Sequence, residues 1–313
     1  MARTVWRTAV PGLIFALASC SEASAAWVGD RYFPSTLATT VPTPADFFNP
    51  PSLILLPETG TTPPTREIDI PTTFSKLITK DWAVIFTETF RILEQANAPT
   101  RTGFDNFVIG TQYALYTNPE HQFIFTVGGT AAIGGTGSSN VSNSFSTLTP
   151  TVYIGKGFGD LPASMAWLQP VNVTANVGVA VPTQSSTLTT ATAAAGVTTL
   201  TETINPKVLL WSFALEYTLL TTTYYGEGKR YPQGWVPVVE FAFQTPLDGP
   251  NAGLTTGTVN PGVIWVSRYL QIAVGAVIPV NARSGRDVGA RAQAHLYLSE
   301  LLPDTLGKPI FGN

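Results

Sequence analysis

The chain has 313 residues, of which 12% are charged, and a formal net charge of −3. No Lys/Arg cluster is present to neutralise a phosphate backbone, which argues against nucleic acid as a partner. A 44% hydrophobic content with 17 Phe argues against disorder, and the charge content lies well below the roughly one quarter usual for a soluble domain.

Residues 1–25 read as a signal peptide. Arg3 and Arg7 form a positive start, "AVPGLIFALAS" (9–19) is a short apolar run, and "ASA" (23–25) is a small-x-small cleavage site. The apolar run is shorter than the roughly 20 residues that a membrane-spanning helix needs. A second reading takes "LASC" (17–20) as a lipobox, in which Cys20 would become the lipidated first residue. Either way no thiol is left for a disulfide or a thiolate metal site. Residues 26–50, rich in Pro, Thr and aromatics, lack strand periodicity and are expected to stay periplasmic or to fold into a lumen.

From residue 51 the pattern changes. After the short apolar run 51–56 come alternating segments at 66–78, 82–94, 104–116, 121–133 and 145–155. "VNVTANVGVAV" (171–181) sets Val171, Val173, Val177 and Val179 on one face and Asn172, Thr174 and Asn176 on the other. Further alternating runs follow at 208–220, 236–245, 257–266, 270–280 and 288–298. A period of two is the mark of a strand, and runs of 10–14 residues exceed the 5–6 typical of soluble strands. Residues 303–313 form a Pro-containing tail.

Two architectures suit such strands: a soluble sandwich or barrel with the apolar face inside, or a transmembrane barrel with that face in lipid. Connection lengths favour the second. Short turns at 79–81, 117–120 and 267–268 alternate with long loops at 95–103, 134–144, 183–205, 247–256 and 281–287, although 156–166 and 221–233 are also long. Trp82, Trp167 and Trp235 directly follow connections on the short-turn side. Trp265 precedes one, and Tyr269 lies beside it, as a membrane-interface girdle requires. Strand direction then demands an upward strand before 66–78, and 51–56 supplies it. The expected fold is all-β: a transmembrane antiparallel up-and-down β-barrel of about twelve strands over residues 51–302.

Alternation places Arg91, Gln112, Gln122, Asn172, Asn176, Glu216, Glu240, Gln244, Gln271, Arg291, Gln293 and His295 on the inner face. Glu216 and Glu240 are expected on adjacent strands, with Arg291 and Arg91 facing them across the interior. These side chains would contact a small-molecule solute or brace a closed interior. No catalytic, metal or cofactor motif accompanies them. His121 reads as a solvated turn residue and His295 as a lumen hydrogen-bonding residue; "GKGFGD" (155–160) lacks the GK[ST] ending of a phosphate loop and reads as a turn.

The stretches "GFDNFVIGTQYALYTNPEHQF" (103–123), "TPTVYIGKGFGDLP" (149–162), "EFAFQTPL" (240–247), "GTVNPGVIWVSRYLQIAVGAVIPVN" (257–281) and "GKPIFG" (307–312) resemble the outer-membrane proteins grouped as the "MetA-pathway of phenol degradation" family. The similarity spans roughly residues 60–312, with a departure in the Thr/Ala-rich stretch 186–206. It implies an outer-membrane β-barrel and passage of small, often aromatic or apolar, molecules. The readings carried forward are such a transport barrel and, as the alternative, a structural or surface-interaction barrel; an enzyme is not expected.

Overall fold

The computed structural model describes residues 26–60, 63–192, 198–225 and 229–312. The signal-peptide reading and Cys20 lie outside the described residues. The chain forms a closed 12-stranded antiparallel β-barrel. Its staves are β1 (Phe47–Asn49 continued by Leu53–Leu55), β2 (Thr65–Thr79), β3 (Trp82–Gln95), β4 (Val108–Asn118), β5 (Phe123–Ala132) and β6 (Thr147–Gly157). The second half is β7 (Val171–Pro182), β8 (Val208–Tyr217), β9 (Lys229–Pro246), β10 (Thr256–Val266), β11 (Leu270–Pro279) and β12 (Gly289–Tyr297). Each stave pairs with its sequence neighbours, and β12 closes the circle on β1.

The first stave starts at Phe47, four residues before the boundary read from the sequence. Pro50 and Pro51, which have no N–H, interrupt it. Asn49 faces Thr73 and Ile54 faces Asp69, so five steps on β1 match four on β2. This bulge reverses the side-chain parity, and Asn49 and Ile54 both point inward as a result. The N–H of Ser52 donates to the Pro71 carbonyl at 2.9 Å and carries the pairing across the break.

Two connections read as loops are strands. Residues 183–205 hold the hairpin Ser186–Thr192 with Thr198–Ile204. Within 221–233, Leu219–Tyr225 pairs with the start of β9 and prolongs that stave beyond the barrel. In the 186–192 and 198–204 hairpin Leu188 and Leu200 are exposed, as on strands that overhang the core, whereas Leu220 packs against the cluster that holds Tyr32 and Val236. Arg101–Phe104 likewise extends the sheet beside β3.

The polarity is inside out. Outward side chains such as Ile109, Leu148, Val177, Leu215, Ile272 and Val274 are exposed, whereas inward Asn172, Thr174, Glu216, Glu240, Asn260 and Gln271 are buried. The polar face of "VNVTANVGVAV" thus meets the lumen, and its valines form part of an apolar outer belt. No described helix is long and apolar enough to cross a membrane.

Candidate functional site

The lumen contains the chain's own N-terminal segment. Trp27–Val28 and Arg31–Tyr32 form a two-stranded hairpin at the short-turn rim. Gly29 adopts φ +59°, and a Cβ there would sit 2.1 Å from the Pro119 carbonyl oxygen, so this close turn suits glycine. The segment climbs to Leu37–Thr39, turns, and descends to Asp46, which leads into β1. Glu240 lies five residues into the barrel from Trp235 on β9, roughly 17 Å along the strand at about 3.3 Å per residue. The tip of the loop therefore reaches the middle of the wall.

Glu240 and Arg291 hold that tip. The Glu240 carboxylate accepts the backbone N–H groups of Leu37 at 3.0 Å and of Ala38 and Thr39 at 2.7 Å. Arg291 Nη1 donates to the Leu37 carbonyl at 2.8 Å. Three sequential N–H groups converging on one carboxylate satisfy it in the way a helix N-terminus satisfies an anion. Gln271 pairs with Ser35 in both directions, accepting its N–H and donating to its carbonyl. Gln271 Oε1 also accepts the Tyr297 hydroxyl at 2.9 Å, and the Tyr297 oxygen meets the Tyr32 hydroxyl.

The rest of the segment is read in the same way. Asn172 Nδ2 donates to the Tyr32 carbonyl, Gln112 Nε2 to that of Val41, Thr126 Oγ1 to that of Pro42 and Ser75 Oγ to that of Ala45. Gln293 Nε2 donates to Ser35 Oγ at 3.2 Å. Arg31 donates from Nε to Gln122 Oε1, from Nη1 to Thr218 Oγ1 and from Nη2 to the Gln169 carbonyl. Burial pulls its guanidinium below the usual arginine value, and Glu216 and Asp160 oppose that.

Apolar anchors complete the fit. Tyr32 and Leu37 pack with Ala214, Val236, Val238, Ile264, Val266 and Ala273, and Phe33 and Val28 pack on Ile124. Glycines in the wall make the sockets. A Cβ at Gly275 would lie 2.9 Å from Leu37 Cδ1, and one at Gly262 would lie 3.2 Å from it. A Cβ at Gly155 would lie 2.8 Å from Pro42 Cγ and 3.1 Å from Phe33 Cε1.

The remaining expected lumen residues divide by height. Glu216 accepts from Asn172 Nδ2 and Thr174 Oγ1 beside the segment, and Asn176 accepts from Ser212 Oγ. His295 Nδ1 lies 2.8 Å from Asn49 Oδ1, with its ring against Phe47. Gln244 is inward by register but exposed near the long-loop rim. The expectation that Arg91 faces Glu216 or Glu240 is corrected: it binds Asp69 through Nε and Nη2, with Glu67 and Asp105 at 3.0 and 2.9 Å. Asp69 is its nearest neighbour across the β2–β3 ladder, so a local pair wins over a distant one. Gln122 sits in the turn before β5 rather than within that strand. Among the described residues no group of His, Cys, Asp and Glu could hold a metal ion.

Trp82, Trp167, Trp235 and Tyr269 are exposed at the short-turn side, and Trp265 is the half-buried cross-strand neighbour of Trp235. Sequence reasoning missed Arg31, Tyr32, Ser35, Leu37 and Tyr297 as parts of the site. The segment bonds mostly through its backbone, which leaves no side-chain pattern to read.

No protein-family model matches the chain, and no curated protein matches it. Among solved structures it is similar to the NanC porin in a rhombohedral crystal form, with a TM-score of 0.43 and 8% identity over 79% of this chain and 98% of that one.

Proposed function

We propose that the chain spans the outer membrane as a channel for small molecules of apolar or aromatic character, and that residues 26–46 hold the channel shut. The reading takes up the resemblance to the "MetA-pathway of phenol degradation" proteins as part of the proposal. One observation carries it: at mid-height the inward side chains of Glu240, Arg291, Gln271, Asn172, Gln112 and Thr126 bond the backbone of a separate peptide loop. A barrel that only needed bracing could fill itself with its own large side chains. Here Gly155, Gly262, Gly275, Ala214 and Ala273 leave the wall hollow where the loop enters.

The fit is also incomplete. Thr39 Oγ1, Asn172 Oδ1 and Arg291 Nε are buried without a hydrogen-bond partner, and each such group costs about 1–3 kcal/mol. Those costs weaken docking and favour a loop that leaves. The exposed apolar belt and the aromatic rim support placement in a bilayer.

The filled lumen favours a second reading, a structural or surface-interaction barrel acting through its long-loop rim, where the paired strands Ser186–Thr192 and Thr198–Ile204 project. Liposome swelling with a panel of aromatic and polar solutes tests the two. Swelling that rises when Gly275→Leu displaces the loop supports the channel. Liposomes that swell with neither protein, although both are inserted and folded, support the structural barrel.

A further inference from the structure

We propose that the lumen wall from Glu240 to Gln112 is a recognition site for a looped peptide, which the chain's own residues 31–45 occupy as an intramolecular ligand, bent at Leu37–Thr39. The proposal rests on the channel reading in one respect: the loop must be able to leave. Its own ground is the way the wall reads the loop. Glu240 accepts three backbone N–H groups, Arg291 and Asn172 donate to backbone carbonyls, and Gln271 takes both groups of Ser35. Glu240, Asn172 and Gln271 are almost wholly buried with the loop in place, so their polar atoms are given over to the loop and the wall rather than to bulk water while it is docked.

Main-chain hydrogen bonds of this kind give affinity without regard to sequence, and pockets for particular side chains give specificity. Both are present. The Gly262–Gly275 notch takes Leu37, and the surface around Gly155 and Ile124 takes Phe33, four residues earlier. Between and after these anchors the loop carries Ser35, Thr36, Ala38 and Thr39, whose small side chains let the backbone approach the wall. The ligand class is therefore a peptide that bends just after its aliphatic anchor, with an aromatic residue four positions before that anchor and small residues around them. A peptide supplied from outside would have the same groups to offer as the tethered one.

The test keeps the full chain. Leu37→Asp sets a carboxylate in the apolar notch beside Glu240 and expels the loop. Ala38→Pro, which deletes one of the three N–H donors, serves if the first variant does not fold, with the heat-dependent gel shift of the barrel as the check. A fluorescent synthetic peptide of residues 26–46 is then titrated into each protein in detergent, and planar-bilayer conductance is recorded from the same preparation. The expected result is saturable binding to the loop-expelled variant, at least tenfold weaker binding to wild type, and at least tenfold loss when Glu240→Gln is added. No saturable binding up to 1 mM peptide overturns the proposal, as does binding that Glu240→Gln leaves unchanged. The two readings fail separately: raised conductance without peptide binding sinks the peptide site alone, and peptide binding without conductance sinks the channel alone.

Discussion

The backbone N–H of Thr39 points at Glu240 Oε1 from 2.7 Å, and the same oxygen takes the N–H of Ala38 at 2.7 Å. A buried carboxylate from the wall thus holds the far end of a loop that joins the wall at residue 46. Hydrogen bonds to a charged group contribute about 1.5–3 kcal/mol each, and stranding a buried donor costs about 1–3 kcal/mol. Glu240→Ala is expected to weaken loop docking by about 3–5 kcal/mol, because it removes the acceptor and leaves three N–H groups without one. Glu240→Gln keeps one acceptor oxygen and should cost less. Hydrogen exchange of residues 35–41 reads both effects, and unchanged protection in Glu240→Ala would show that the carboxylate does not hold the tip.

Gly275 and Leu37 make a second contact that can be cut from either side. A leucine at 275 would occupy the notch that Leu37 fills, so Gly275→Leu should release the loop; its Cβ would also lie 3.1 Å from the Pro261 carbonyl oxygen, so β10 must give by a few tenths of an ångström. Leu37→Ala in the same chain empties the notch and should restore part of the docking. Overpacking typically costs 1–3 kcal/mol, which sets the expected scale of release and recovery. A double-mutant cycle on exchange of residues 33–41 measures the coupling; a coupling energy near zero would mean the two side chains do not compete.

Arg91 supplies the contrasting case. It binds Asp69, Glu67 and Asp105 near the long-loop end, away from the groups that hold residues 31–45. Arg91→Gln should leave three carboxylates facing one another, and these groups are 14–29% exposed. Solvent screening lowers the cost below that of a fully buried ion pair, to about 1–3 kcal/mol of barrel stability. Urea unfolding in vesicles should show that loss, while exchange of residues 35–41 stays as in wild type. Loss of loop protection in Arg91→Gln would tie the outer cluster to the plug and contradict the division by height.

Much of the barrel was legible because a stave with an apolar outer face and a polar lumen face leaves a period of two. Asn172, Glu216, Glu240 and Gln271 could be placed inward by parity alone. That residues 26–50 enter the lumen was one of two expectations for that segment, but the way they dock could not be read. Residues 31–45 bind through N–H and C=O groups common to every residue, and their Pro and Thr resemble an ordinary linker. Gly155, Gly262 and Gly275 read as weak points in strands until Phe33 and Leu37 are seen against them. Arg91 was misassigned for a related reason. Parity fixes which face a side chain takes but not which of several inward acids is nearest, and the β2–β3 register decides for Asp69.

Val274 lies near the middle of β11 on the outer face and is 48% exposed, whereas its neighbour Ala273 points inward and is buried. If the outer belt meets hydrocarbon, a cation at 274 must sit there without partners. An outward Arg or Lys at the bilayer midplane costs about 2–4 kcal/mol in membrane barrels. Val274→Arg should therefore lose that much stability when the protein is unfolded by denaturant from lipid vesicles. An arginine at Ser267, in the turn between β10 and β11, can reach the headgroups and water and should cost only about 0.5–1.5 kcal/mol, the contribution of the bond that the Ser267 hydroxyl donates to the Leu270 carbonyl at 2.7 Å. The contrast depends on depth rather than on residue chemistry, because both variants introduce the same side chain. Equal and small effects at 274 and 267 would mean that the belt is solvated, and an outer face solvated along its height would be incompatible with a membrane-spanning barrel.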